Sequence, residues 1–272
     1  MKSMKKSQRV VLITGASSGM GRAMALFLSK QGFHVYAGSR TPHKLNYIKN
    51  ITPLKLDVTN PKSIEEVLSS IDFIDILINN AGYGLVSTVE EVTEAEMLAQ
   101  FNVNVFGVLR LCRAVIPKMR EQGEGTIINI SSFLGKIGLP LFTIYNASKY
   151  AVEGITDSLR YELKPFNIRV HSIMPGFFDT NFARDNLVVN RETFSSKSPY
   201  QTMVSKLAPV IVEQINHGNS TDEVVKMVLD IIKNKNAPAR QTVGDKAKKF
   251  LPMRQELSDE DFERRVREYY NL

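Results

Sequence analysis

The sequence predicts a single doubly wound α/β domain, with a parallel sheet of about seven strands and helices on both faces. Three observations lead there. Short apolar runs alternate with longer helix-like segments along most of the 272 residues, the pattern of crossover βαβ units. The first apolar run leads straight into a glycine-rich turn that opens a helix. Neither an internal repeat nor an uncharged apolar run of the roughly 20 residues of a membrane helix interrupts the alternation.

The expected strands are Arg9–Thr14, His34–Gly38, Pro53–Leu56, Ile74–Asn79, Gly125–Ser131 and Ile168–Ile173, with a shorter one near Gln241–Val243. Met20 to Gln31 has helical periodicity. Asn60-Pro61 places a capping residue before a proline suited to the first helical position. Ser220-Thr221-Asp222-Glu223 and Ser258-Asp259-Glu260-Asp261 resemble capping boxes. Long helices are expected near 93–120 and 143–164. Residues 181–219 break the alternation with scattered aromatics (Phe182, Phe194, Tyr200) and with Pro199 and Pro209. They read as a substrate-loop insertion of short helices over the mouth of the sheet. From about Lys246 the tail reads as an amphipathic helix with Phe262, Val266 and Tyr269 on one face.

Composition removes several function classes. Cys112 is the single cysteine, set in an apolar helical stretch, so it reads as a buried small hydrophobe. His34, His43, His171 and His217 show no ligand spacing, and no metal site is expected. The net charge is +7. Four basic groups and no acid lie in residues 1–9, and residues 246–272 carry seven basic and six acidic groups. The body is nearly balanced, so no nucleic acid is expected as a partner. The lysines near the start precede Val10–Ile13, too short an apolar run for a secretion signal, and the protein reads as cytoplasmic.

The glycines of Thr14-Gly15-Ala16-Ser17-Ser18-Gly19-Met20-Gly21 sit between strand and helix, the context a dinucleotide fingerprint requires. Gly15 permits the tight turn, Gly19 lets backbone approach phosphate, and Gly21 lets the helix pack on the sheet. The helix N-terminus then offers unpaired N–H groups to a pyrophosphate. The second strand ends at Gly38-Ser39-Arg40. A carboxylate here would hold a ribose 2′-hydroxyl, whereas a guanidinium clamps a 2′-phosphate. Ser39 and Arg40 therefore predict NADP(H) over NAD(H).

Tyr145 and Lys149 are four residues apart and share a helix face. A free tyrosine titrates near pH 10, and a nearby ammonium is expected to lower that value. Ser132 lies 13 residues before Tyr145, at the sheet edge where ligands bind.

With these residues the chain resembles the short-chain dehydrogenase/reductase family, with a Rossmann-type fold, up to about residue 180. Gly15, Ser17, Ser18, Gly19, Met20 and Gly21 match the family's cofactor loop, and Met20 replaces the usual isoleucine. Asp57-Val58 matches the pair that contacts the adenine. Asn79, Asn80, Ala81 and Gly82 match the segment that supports the sheet beside the cofactor. Pro175-Gly176 and Thr180 match the stretch that holds the nicotinamide. The resemblance implies a tetrad of Asn104, Ser132, Tyr145 and Lys149; Asn102 is the competing asparagine, but the family's Asn-hydrophobic-hydrophobic-Gly continuation fits Asn104 better. It implies hydride transfer from NADPH to a carbonyl while Tyr145 protonates the oxygen and Ser132 orients it. Lys149 would bind the nicotinamide ribose and lower the Tyr145 value, and Asn104 would support a water chain. In oxidation Tyr145 would act as the base.

Gly38-Ser39-Arg40, Gly138 to Phe142, and Lys164 to Ile168 look most like the 17β-hydroxysteroid and retinol dehydrogenase-like branch. That implies a bulky apolar carbonyl or alcohol, and Phe133, Leu134, Leu139, Phe142, Phe177, Phe178 and Phe182 are the expected wall. The resemblance also implies a homodimer or homotetramer. A non-catalytic NADP-sensing or scaffolding protein on the same fold is the alternative. Such a protein would be expected to lose a tetrad member, and this chain keeps all four. An epimerase or dehydratase would use the same Tyr/Lys pair, but the glycine spacing and chain length look unlike that subgroup.

Overall fold

Neighbouring residues of the first strand enter different cores. Val11 and Ile13 pack in one apolar cluster and Leu12 in another, all fully buried. A strand covered on both faces must be apolar throughout, which is why these runs are continuous rather than alternating.

The computed structural model describes residues 8–180 and 186–272. Its strands are β1 (Val10–Thr14), β2 (His34–Ser39), β3 (Ile51–Lys55), β4 (Ile76–Asn79), β5 (Gly84–Val86), β6 (Gly125–Ile130), β7 (Ile168–Pro175), β8 (Leu187–Val189) and β9 (Arg240–Val243). Its helices are α1 (Gly19–Lys30), α2 (Pro61–Ser69), α3 (Glu94–Phe101), α4 (Gly107–Gln122), α5 (Thr143–Leu163), α6 (Gln201–Asn216), α7 (Asp222–Lys233), α8 (Asp245–Glu256) and α9 (Asp259–Tyr270). The central sheet has seven strands in the order β3-β2-β1-β4-β6-β7-β9, and every pairing is parallel. Helices α1 and α7 cover one face, and α2, α4 and α5 cover the other. The order reverses between β1 and β4, so a crevice opens beyond their carboxyl ends.

Local signals acted as expected at several helix starts. Asn60 accepts from the N–H of Lys62 (3.0 Å) and Ser63 (3.4 Å), with Pro61 at the first position. Ser258 accepts from the Asp261 N–H at 3.1 Å. Other expectations need correction. The second-half capping box is absent: α7 starts at Asp222 after Thr221, which makes no side-chain cap bond. A reciprocal box closes instead at Thr93 and Glu96. The helix expected near 93–120 is two helices joined by a π-turn, Asn102–Phe106. The third strand begins at Ile51, because Ile51 to Lys55 pair in register with Val35 to Ser39.

The insertion also differs from its expected form. Within 181–219 lie strand β8, which pairs with β5, and the 16-residue helix α6. Val204, Leu207, Ile211 and Ile215 form one buried stripe along α6, so the helix continues through Pro209, which is exposed. The tail is two helices rather than one. The first buries Ala247, Phe250 and Leu251; the second buries Phe262, Val266 and Tyr270, with Tyr269 partly buried. Together α6, α8 and α9 form a third apolar cluster at the site end of the sheet, against Phe133, Leu139 and Phe142. Among the described residues no helix is long and apolar enough to cross a membrane.

Candidate active site

The nucleotide end is built on backbone that closes where side chains are missing. Gly15 and Gly19 adopt left-handed φ angles of +67° and +51°, which glycine tolerates without strain. Gly21 is needed for a different reason. A Cβ there would lie 2.3 Å from the Gly15 carbonyl oxygen and 2.5 Å from Asn80 Nδ2. Asn80 ties the turn down by donating from Nδ2 to the carbonyls of Thr14 (2.9 Å) and Gly15 (3.2 Å). Thr14 Oγ1 accepts from the N–H groups of Asn80 and Ala81, both at 3.0 Å. Ser18 precedes α1 without a side-chain cap bond, which leaves first-turn N–H groups for an anion. Ser17, Ser18 and Met20 sit half-buried around this turn. A Cβ on Gly19 would lie 3.7 Å from Thr180 Cβ, so the stretch following Pro175 and Gly176 faces the loop.

At the end of β2, Ser39 is buried and its Oγ has no partner among the described residues. Arg40 follows it and is exposed. Asp57 accepts from Thr59 through the N–H (2.9 Å) and Oγ1 (2.7 Å). Burial works against its charge, but the Thr59 bonds and the Arg40 and Arg110 guanidiniums hold the carboxyl below its usual value. Val58 is buried against Gly107. A nicotinamide dinucleotide fits this arrangement: a glycine cradle that Cβ atoms would fill, open helix N–H groups, and an exposed guanidinium at the end of β2.

At the chemical end, Ser132 caps a short 3₁₀ turn, Phe133–Gly135, and accepts from the Leu134 N–H at 3.1 Å. Tyr145 and Lys149 occupy the first two turns of α5. The Tyr145 ring meets Phe142 edge-on at 6.1 Å, and Lys149 Nζ lies 5.6 Å from its centroid. Lys149 is buried and donates to the Ile130 carbonyl at 2.9 Å. Asn104 sits in the π-turn, a geometry that recurs at functional sites. Its Nδ2 donates to the Tyr83 carbonyl (3.0 Å) and to Ser148 Oγ (3.1 Å), and its Oδ1 accepts from the Tyr83 N–H (3.1 Å). A Cβ on Gly82 would lie 3.1 Å from that oxygen. Asn104 therefore joins the loop after β4 to α5.

The electrostatics correct one expectation. Burial pushes the Tyr145 phenol up to about 12, opposed by its hydrogen bond with Ser132. The lysine does not lower it in the protein alone. Burial likewise pushes the Lys149 ammonium down to about 8, opposed by the charge of Glu153. A buried charge is costly in a poorly polarisable interior, and here that cost exceeds the opposing help of Ser132 and Glu153.

Among the expected wall residues, Phe133, Leu139 and Phe142 are buried in one cluster with the partly buried Phe177. Phe133 and Phe177 meet edge-on at 5.4 Å. Phe178 does not join them. It packs in the cluster under α1 and α7, with its ring against Gly244. Adjacent residues there point to opposite sides of the chain. Phe182 lies outside the described residues. A cavity of about 670 Å³ opens between Pro140, Tyr150, Met203 and Phe262. Neither Ser132 nor Tyr145 lines it. Among the described residues no three His, Cys, Asp or Glu side chains gather as a metal site requires.

The sequence expectation takes in Thr14 only as the start of the cofactor loop and does not take in Ser148 or Glu153. Ser148 and Glu153 stand three and eight residues after Tyr145, spacings that keep them near its helix face and could have flagged them. Nothing local announces the Ile130 carbonyl.

The family described as short chain dehydrogenase matches residues 9–188. The chain is 38% identical over 255 residues to a 3-ketodihydrosphingosine reductase of Bacteroides thetaiotaomicron, covering 90% of this chain and 93% of that protein. It superposes on a short-chain dehydrogenase from Streptomyces avermitilis with a TM-score of 0.81 at 32% identity, covering 97% of each chain. A short-chain dehydrogenase from Burkholderia cenocepacia, solved in complex with NADP, gives 0.76 at 27% identity, over 95% of this chain and 97% of that one. A glycine cradle at the sheet's switch point, a tyrosine, lysine and serine converging beside it, and these similarities place the chain in the short-chain dehydrogenase/reductase family of oxidoreductases.

Proposed function

We propose that the protein is an NADPH-dependent reductase of a ketone on a bulky, lipid-like substrate. The observation that carries this reading is the convergence of Tyr145, its hydrogen-bond partner Ser132 and the buried Lys149 next to an apolar wall. When bound, NADPH supplies a hydride to the carbonyl carbon. Ser132 Oγ holds and polarises the carbonyl oxygen, and Tyr145 Oη gives that oxygen its proton. Lys149 holds the nicotinamide ribose. Asn104 fixes the π-turn behind it and supports resupply of the proton through water. Phe133, Leu139, Phe142 and Phe177 exclude water from the reacting carbon. Among steroid-, retinoid- and lipid-like ketones, the similarity to a 3-ketodihydrosphingosine reductase favours a long-chain lipid.

Arg40 and Ser39 support NADPH over NADH. The exposed guanidinium has no ion-pair partner among the described residues and stands beside the orphan Ser39 hydroxyl. Replacing Arg40 with Ala is expected to raise KM for NADPH roughly tenfold or more, the worth of one charge-assisted bond, and to leave KM for NADH nearly unchanged. Equal effects on both would remove the assignment. Exposed Phe106, Leu109 and Tyr161 on and beside α4 and α5 support a homo-oligomer built on those helices. The substrate reading is tested by following NADPH oxidation with 3-keto long-chain amino alcohols, ketosteroids, retinal, aromatic ketones and short aldehydes. Turnover of short aldehydes alone would overturn it.

A further inference from the structure

A polar row crosses the face of the sheet beneath α5. Asn79, Asn129, Ser172 and Arg240 stand on four adjacent strands and are register partners in succession. One level below, Leu77, Ile127 and Val170 pack in the apolar cluster on that same face. Polar side chains beneath a helix require partners. Asn79 Nδ2 donates to Asn129 Oδ1, and Asn129 Nδ2 donates to Thr156 Oγ1, both at 2.9 Å. Arg240 reaches up to two carboxylates of α5, donating to Glu153 Oε2 and Asp157 Oδ1, each at 2.6 Å.

Tyr145, Lys149, Glu153 and Asp157 follow one another at intervals of four residues. The four therefore form a single ridge on the helix. Glu153 is 2% exposed, while Asp157 is 50% exposed, so the ridge runs out to solvent at its far end. One guanidinium serves two carboxylates there, which leaves one negative charge unbalanced. The Glu153 Oε1 atom is buried without a partner among the described residues, as are Ser131 Oγ and Ser172 Oγ on the same face. The nearest cation along the ridge is Lys149, one turn back.

We infer that Glu153 is a positioning residue for the reaction, and that its carboxylate, anchored by Arg240 on the last strand, is the counter-charge that keeps the buried Lys149 ammonium charged. This rests on the reading of Tyr145 and Lys149 given above. The groups facing Lys149 agree with it. Tyr145 and Glu153 come from its own helix, and Arg240 comes from β9, already shared with Asp157. The Ile130 carbonyl, which accepts from Lys149 Nζ, comes from the end of β6. Glu153 is thus the anion in this set whose charge is not spent at the surface. Its opposition to the burial of Lys149 has the expected sign.

The test is a titration of Lys149 by NMR of isotope-labelled lysine in the full-length protein, with its resonance assigned by loss in Lys149→Arg. Glu153→Gln removes the anion and is expected to move the midpoint down by on the order of one pH unit. Arg240→Gln removes the competing cation and is expected to move it up. A structural role would shift both variants in the same direction or in neither, and either result overturns the inference. If Glu153→Gln fails to fold, Arg240→Gln still decides, since a fall or no change contradicts the proposal. The alkaline limb of kcat/KM for NADPH should follow the midpoint in each variant. Midpoints that move as stated in a protein with no ketone reductase activity would sink the functional reading and leave the charge relation standing.

Discussion

Tyr145→Phe is expected to lower kcat for ketone reduction by about 10²–10⁴-fold, the usual contribution of a positioned proton donor, with NADPH binding near the wild-type value. The substitution removes one oxygen. The ring remains, so its edge-on contact with Phe142 and the approach of Lys149 to its face are kept, and the fold should be unaffected. What disappears is the proton that neutralises the developing alkoxide. The direction of the Tyr145 shift matters here. A phenol pushed up to about 12 by burial is fully protonated at neutral pH, so the protein alone is poised as a donor and not as a base. Reduction therefore starts from the correct protonation state, whereas oxidation must first remove the proton. Stopped-flow or steady-state loss of NADPH absorbance checks the rate, and fluorescence titration checks the binding. Wild-type turnover in the variant would remove Tyr145 from the mechanism. The rate that remains should come from placing the carbonyl next to the hydride.

Features set by short-range spacing were legible in the sequence. The glycine turn, the Asn60-Pro61 start and the Tyr145–Lys149 pair each depend on fewer than ten consecutive residues, and the structure has all three. The parallel sheet was legible because each strand is buried on both faces and so reads as an unbroken apolar run. Pairings over long separations were not. Strands β5 and β8 have three residues each and pair Gly84 with Leu187, too short for any periodicity to announce them. The π-turn at Asn102–Phe106 leaves the helical pattern unbroken on both sides, so one helix was expected where two meet. Phe177 and Phe178 look alike in sequence, yet backbone direction sends them to different clusters. The upward shift of Tyr145 was not legible for a related reason. Lys149 is a neighbour visible in the sequence, but the burial that dominates both groups is a property of the assembled layers.

The polar row beneath α5 shows how the sheet and the site depend on one another. Arg240 is on the last strand, 91 positions after Lys149 in the sequence, yet parallel register puts it opposite Ser172 and under Glu153. A doubly wound sheet brings the ends of distant strands to one edge. The tyrosine, the lysine and Glu153 therefore sit on one helix while the arginine that anchors Glu153 comes from the last strand of the sheet.

Gly21→Ala is expected to be the most damaging single-methyl change at the nucleotide end. Gly21 has no left-handed backbone requirement, unlike Gly15 and Gly19, so dihedral angles alone would pass alanine as a better helix former. The clash decides otherwise. The new Cβ would meet the Gly15 carbonyl oxygen at 2.3 Å and Asn80 Nδ2 at 2.5 Å. The first contact is with backbone, and the second is with a side chain held by two carbonyls of the same turn. Neither can rotate away, so α1 must move off the loop. Overpacking of this kind costs about 1–3 kcal/mol of stability. The displacement also takes the first-turn N–H groups away from the pyrophosphate. Losing one charge-assisted bond of about 1.5–3 kcal/mol corresponds to a roughly tenfold to hundredfold weaker complex. Thermal unfolding and NADPH fluorescence titration should thus fall together. Gly138→Ala is the control, because its Cβ would come no closer than 3.7 Å to Asn146 Nδ2, and both measurements should stay near wild type. If Gly21→Ala bound NADPH normally, the close approach of helix and loop would not be what shapes the phosphate cradle.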